Sequence, residues 1–196
     1  SRSSAWVEPV AAARAGTALA TAQRDDDASF AGALSARLPA LRFRPIAAAD
    51  HPFLRELYAA VRRDELAPVP WPDAAKAAFL ADQFRLQHAH YTTYFPDAEL
   101  LLITRAGEPI GRIYLHRSAP EICVMEVSLL ERERGHGLGR ALLDTVLDMA
   151  THERRAVTLH VEPNNRARHL YERLGFVAAP LEGAYVPMRW TPGAIP

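Results

Sequence analysis

Two segments of the chain carry residues whose types and spacing suit one kind of chemistry. Arg134-Gly135-His136-Gly137-Leu138-Gly139-Arg140 follows an apolar, strand-like run and opens a stretch of helical periodicity. Glycines at such a junction let backbone N–H groups converge on an anion at the positive end of the helix. Gly137 and Gly139 permit close approach, and Arg134 or Arg140 can add charge. Gly135, His136 and Leu138 take part through their backbone. About one strand later, Asn164 to Phe176 is amphipathic and sets Asn164 and Tyr171 seven residues apart before stopping at Gly175, a left-handed break ahead of a new strand.

In this order the two segments resemble the signature motifs of the GNAT superfamily, the acyl-CoA-dependent N-acyltransferases. The family's pyrophosphate loop, Gln/Arg-x-x-Gly-x-Gly/Ala, is met by Arg134, Gly137 and Gly139. Its second motif, Asn-x-x-Ala-x-x-Leu-Tyr-x-x-Leu-Gly-Phe, is met by Asn164, Ala167, Leu170, Tyr171, Leu174, Gly175 and Phe176. The resemblance extends more loosely from Leu41 to Trp190. It implies an α/β fold with a mixed central sheet of about six to seven strands, splayed between strands 4 and 5 and flanked by helices. The gap would receive acetyl-CoA, whose pantetheine arm binds an exposed strand edge much as an added strand would.

The same resemblance assigns roles. Val127, Ser128 and Leu129 correspond to the pantetheine-binding segment and act through their main chain, with a backbone N–H near Leu129 facing the thioester oxygen. Gly135 through Arg140 surround the pyrophosphate, and Asn164 contacts the cofactor or caps its helix. Tyr171 matches the tyrosine that serves as general acid beside the CoA sulfur, with plain packing as the other reading. The base is harder to assign, because Leu159 stands where some relatives carry a glutamate. Glu126 is the first choice and Glu121 the second, each with a simple ion-paired carboxylate as the competing role. Trp71, Gln83, Phe84, Gln87, His88, Tyr91 and Tyr185 are the residues on offer for an acceptor pocket. The expected activity is acetyl transfer to a primary amine within a ternary complex. A non-catalytic acyl-CoA sensor or interaction subunit is the alternative.

Composition narrows the rest. The chain has 196 residues and is 49% hydrophobic, enough for one ordinary domain with a sizeable core. Its formal charge is zero, which argues against general attraction to nucleic acid or to anionic lipid. Cys123 is the only cysteine, so neither an internal disulfide nor a cysteine-based metal cluster is available, and no metal is expected. No run approaches the ~18 apolar residues of a membrane helix. A cytoplasmic protein binding acetyl-CoA and an amine, with self-association as a homodimer left open, is the expectation.

The elements that must position these residues follow from periodicity. Residues 1–40, rich in Ala and Ser with the acidic run Asp25-Asp26-Asp27, read as a loosely ordered extension or a peripheral helix ahead of a 41–196 domain. The pattern predicts a strand at Leu41–Ile46, a helix behind Asp50 to about Arg63, and a long helix from Asp73 to about Tyr94. Strands at about Glu99–Arg105, Pro109–Arg117 and Glu121–Leu130 follow. A helix then runs from the glycine loop to about His152, and a strand covers Val157–Val161. The Asn164–Leu174 helix precedes a closing hairpin of Phe176-Val177 and Ala184–Trp190.

Overall fold

Leu101-Leu102-Ile103 is apolar at three successive positions, so a strand there must be covered on both faces. In the computed structural model, which describes residues 29–193, it is. Leu101 and Ile103 join the main buried cluster, whereas Leu102 joins a second one on the opposite face. These residues belong to β2 (Glu99–Arg105), which pairs antiparallel with β1 (Arg42–Pro45) and with β3 (Glu108–Arg117). β4 (Glu121–Leu129) pairs antiparallel with β3 and parallel with β5 (Ala156–Val161). Beyond β5 lie β7 (Val186–Trp190) and then β6 (Val177–Ala178), so the seven-stranded order is β1-β2-β3-β4-β5-β7-β6.

The parallel pairing is short. It runs from Glu121 opposite Ala156 to Val124 opposite Leu159, and β4 then continues to Leu129 without β5 beside it. This is the splay expected between the fourth and fifth strands.

α2 (His51–Leu66) and α3 (Asp73–Tyr94) cover one face through Leu54, Tyr58, Leu80 and Phe84. Pro52 lies in the first turn of α2, where its missing N–H costs nothing. α4 (Leu138–Glu153) covers the other face through Leu142, Leu143, Val146 and Ala150. α5 (Ala167–Arg173) is one turn shorter at its start than periodicity suggests, so Asn164 stands in the turn before it.

Residues 30–37, which composition places in the extension, form α1 (Phe30–Arg37). Phe30 and Leu34 are buried in the main cluster with α4. The Glu99 carboxylate accepts the Phe30 and Ala31 N–H groups at 2.8 and 3.1 Å, putting a negative charge at the positive end of the helix. Ser29 completes the cap by accepting from Gly32 N–H at 3.1 Å. The remainder of the expected extension, residues 1–28, lies outside the described residues.

Candidate active site

The end of β4 supplies an unpaired backbone edge. Leu130 N–H bonds the Ile110 carbonyl at 2.9 Å, and Gly111, Arg112 and Ile113 stand opposite Leu129, Ser128 and Val127. Bonded and non-bonded pairs alternate along an antiparallel ladder, so Arg112 and Ser128 exchange the next pair of bonds. Val127 and Leu129 therefore turn their N–H and C=O away from β3, toward the side that β5 has left. The main chain of Ser128 is committed to β3, and of the three expected pantetheine residues only the outer two face the splay. Gly111 is needed behind this edge, since a Cβ there would lie 2.5 Å from the Ser128 carbonyl oxygen.

A single 3-10 turn, Glu131–Glu133, carries β4 into the glycine loop and is anchored by an ion pair between Arg105 and the buried Glu133. Gly135 and Gly137 take φ of +76° and +81°, and Gly137 is the residue from which α4 starts. The loop thus presents backbone donors at a helix N-terminus. Gly139 has no such constraint, and a Cβ on it would touch only Leu170 Cδ2 at 3.9 Å. Arg134 Nε donates to the Leu129 carbonyl at 2.9 Å, so the side chain expected at phosphate also braces the β4 edge. Arg140 pairs with Asp144 at 3.3 Å on the surface, and His136 is exposed beside it.

Tyr171, on α5, packs on Phe176 at 5.8 Å between ring centroids. Burial and then the nearby Glu126 charge push its phenol up to about 12, so it stays protonated at every physiological pH. Asn164 is exposed in the turn, and it is Asn165 whose Oδ1 accepts the Ala167 N–H at 2.9 Å. The N-cap position of α5 is Arg166, so Asn164 does not fill the helix-capping role considered for it, and Asn165 makes a local side-chain turn ahead of the helix.

Glu126 lies on the face of β4 toward α2 and α3, its side chain 14% exposed. Ser128 Oγ donates to Oε1, while Arg112 Nη2 stands 3.4 Å and Gln87 Nε2 3.5 Å from Oε2. Burial alone would push this carboxyl up. Arg112, Arg62 and the hydrogen bonds from Ser128 and Arg112 outweigh it and hold the group below the ordinary carboxylate range. Glu126 is therefore ionised at neutral pH and a weak proton acceptor. Glu121, the second candidate base, is bound by Arg189 at 2.8 Å and Thr158 at 3.1 Å. It sits where β4 and β5 are still paired, at the closed end of the splay.

Arg112 is the participant that sequence reasoning missed. It is fully buried, and its only hint in sequence is a cation between Ile110 and Tyr114 at a strand position whose neighbours are apolar. Among the residues offered for an acceptor pocket, Gln87 joins this network, and Tyr91 hydroxyl donates to the Met125 carbonyl at 3.4 Å. Phe84 is core, His88 packs between Phe84 and His51, and Trp71 stands in the α2–α3 loop against Phe79. Tyr185 is half-buried, its hydroxyl raised by burial and by Glu162, with Glu126 also in reach of its charge. Among the described residues, no group of three or more His, Cys, Asp or Glu could hold a metal, and no helix is long and apolar enough to cross a membrane.

The model of the Acetyltransferase (GNAT) family matches residues 53–176. N-alpha-acetyltransferase 40 of Saccharomyces cerevisiae is 46% identical over 72 residues, covering 32% of this chain and 25% of the yeast protein. The 5-NmdU N-acetyltransferase of Pseudomonas phage PaMx11 is 39% identical over 62 residues, covering 31% of this chain and 43% of the phage protein. The matches thus span less than half the length of either curated relative. Among solved structures, the PaiA N-acetyltransferase of Thermoplasma acidophilum in complex with coenzyme A superposes with a TM-score of 0.59 at 16% identity. That superposition covers 77% of this chain and 98% of the other. The histone acetyltransferase HPA2 and related acetyltransferase of Corynebacterium glutamicum gives 0.56 at 23% identity, covering 80% and 98%. At these identities the likeness is one of fold.

Proposed function

The chain belongs to the GNAT acetyltransferase family, and from that premise we propose that it transfers an acetyl group from acetyl-CoA to a primary amine by direct attack in a ternary complex. The observation that carries this reading is the backbone edge that Val127 and Leu129 turn away from β3, joined through the single 3-10 turn Glu131–Glu133 to a glycine loop at the start of α4. An extended amide arm fits the edge and a pyrophosphate fits the loop. That both curated relatives are named N-acetyltransferases supports nitrogen as the accepting atom.

When bound, acetyl-CoA supplies the activated thioester. The Leu129 N–H, free of β3, is the donor available to charge growing on the thioester oxygen. Glu126 faces the other side of the sheet and holds the amine by a charge-assisted hydrogen bond. The new C–N bond forms as the C–S bond breaks. One proton of the ammonium is lost to solvent before attack and a second after it, while the leaving sulfur takes the proton of the Tyr171 hydroxyl and departs as the thiol, the phenolate being reprotonated from solvent. The net reaction releases one proton.

Calorimetric titration with acetyl-CoA tests the binding half. Saturation below ~1 mM is expected, the upper end of ordinary KM values, and no heat there would end the proposal. Release of free thiol in the presence of a panel of amines tests the transfer half. Binding without amine-dependent release would identify an acyl-CoA sensor instead.

A further inference from the structure

Arg112 is an expensive residue to keep where it is. A guanidinium with no solvent exposure costs several kcal/mol to desolvate, and an apolar side chain of similar volume would pack the site at least as stably. Its Nη1 donates to the Tyr114 hydroxyl at 3.2 Å, and Nη2 donates to Gln87 Oε1 at 3.1 Å while facing Glu126. The rings of Tyr114, Tyr58 and Phe84 lie around it at 4.9, 5.9 and 5.9 Å. Its Nε is buried and has no hydrogen-bond partner. Nη2 is thus directed at one carboxylate and at the glutamine that shares it, while Nη1 is held by Tyr114.

Building on the acetyl-transfer reading, we propose that Arg112 is a positioning residue: it clamps Glu126 from inside the sheet, so that a fixed, charged carboxylate meets the incoming ammonium as its ion-pair partner and not as the final resting place of its proton. Both oxygens are held, one by Ser128 and the other by Arg112 and Gln87. The backbone of Arg112 is opposite Ser128 in the ladder, so the clamp and its target move together. The groups around Glu126 come from every element packed on it. β3 gives Arg112 and Tyr114, α3 gives Gln87 and Tyr91, and α2 gives Tyr58 and Arg62. Tyr171 of α5 and Tyr185 ahead of β7 complete the set. The cations among them are Arg112 and Arg62, and Arg62 is turned over the Tyr58 ring at 4.0 Å. Arg112 is therefore the cation in direct reach of the Glu126 carboxylate, with Arg62 adding charge from α2.

The test is a pH titration of the full chain labelled with 13C at glutamate carboxyls, followed at Glu126. In the unsubstituted protein the midpoint is expected below ~4.3, the ordinary glutamate value. Arg112→Gln, which keeps a hydrogen-bonding side chain and removes the charge, is expected to raise it by about one unit, because the strongest of the groups that oppose burial is then gone and only Arg62 and Ser128 remain. Arg112→Lys, which keeps the charge and loses the fork, is expected to leave the midpoint low. With the amine that turns over fastest in the thiol-release assay, Arg112→Lys should lower kcat/KM for the amine at least about tenfold with KM for acetyl-CoA unchanged. A midpoint at or above the ordinary value in the unsubstituted protein overturns the proposal even if Arg112→Gln fails to fold. So does an unshifted midpoint in a folded Arg112→Gln, or wild-type amine kinetics in Arg112→Lys. Absence of turnover with every amine overturns the acetyl-transfer reading, and the titration then still decides what Arg112 does to Glu126.

Discussion

The Arg134 side chain reaches back to the end of β4, where its Nε donates to the Leu129 carbonyl at 2.9 Å. The glycine loop and the free strand edge are thereby one mechanical unit. A side chain that sequence motifs assign to phosphate spends one of its donors on keeping the edge in place.

Arg134→Ala is accordingly expected to weaken acetyl-CoA binding about fivefold to tenfold, the equivalent of one hydrogen bond of about 1 kcal/mol together with lost charge. The melting temperature should hardly move, because the residue is exposed. Calorimetric titration reads the first quantity and a thermal scan the second. Unchanged affinity would leave the brace without a role in binding.

Gly137 and Gly139 should respond differently although one motif names both. Gly137 holds φ +81°, so Gly137→Ala is expected to cost about 1 kcal/mol of stability. Gly137→Glu should abolish acetyl-CoA binding, since its carboxylate would meet the pyrophosphate. Gly139→Ala has room and lies in the first turn of α4, so its stability should be unchanged or slightly higher. Denaturant unfolding of the two alanine variants and calorimetric titration of Gly137→Glu with acetyl-CoA separate these outcomes.

Tyr171→Phe is expected to lower turnover roughly ten- to several-hundred-fold, the span that a general acid usually supplies. Acetyl-CoA affinity and fold should be retained, because the ring still packs on Phe176. Turnover equal to the unsubstituted protein would reduce the phenol to packing.

Glu126→Gln should act on both rate and stability. Without the carboxylate the ammonium loses its ion-pair partner, so turnover at neutral pH should fall more than acetyl-CoA affinity does. Part of that loss should return at alkaline pH, as free amine with a pKa near ~10.4 becomes available. Removing one partner of a buried pair also strands Arg112, at a cost of about 3–5 kcal/mol. The folded Glu126 carboxyl lies below its reference value of 4.5, so its stabilising contribution is present above that pH and is lost as pH falls through the folded value. The gap in melting temperature between the two proteins should therefore be widest near neutrality and close in acid.

Much of the scaffold was legible because punctuation and period agreed. Pro72 and Asp73 mark the start of α3, and Ala106-Gly107 marks the turn between β2 and β3, so those bounds match the structure closely. The place of the glycine loop at the start of α4 was legible for the same reason, being a local pattern. The local turn before α5 was not legible at Asn164, because Asn165, with the same side-chain chemistry, stands next to it and takes the Ala167 N–H. The bounds of α1, within a stretch read as a loose extension or a peripheral helix, were hidden because only Phe30 and Leu34 are buried among Ala-rich residues, too few to raise a helical period above background. Arg112 escaped because its meaning depends on Glu126 across a hairpin and on Gln87 from another layer. Pairings of that kind depend on register and helix placement, which no local pattern encodes.

The Glu99 cap on α1 bears on the order in which the chain can be assembled. Phe30 and Leu34 rest on α4, and their helix is charged at its start by a residue of β2, both of which leave the ribosome long after α1 itself. Until then α1 has only its local Ser29 cap and no seat, and a helix of eight residues does not persist alone in water. The earliest of the described segments to be synthesised is thus among the last able to dock. A protease meeting the nascent chain would find Phe30–Arg37 open to cleavage long after β1, β2 and β3 had closed upon one another.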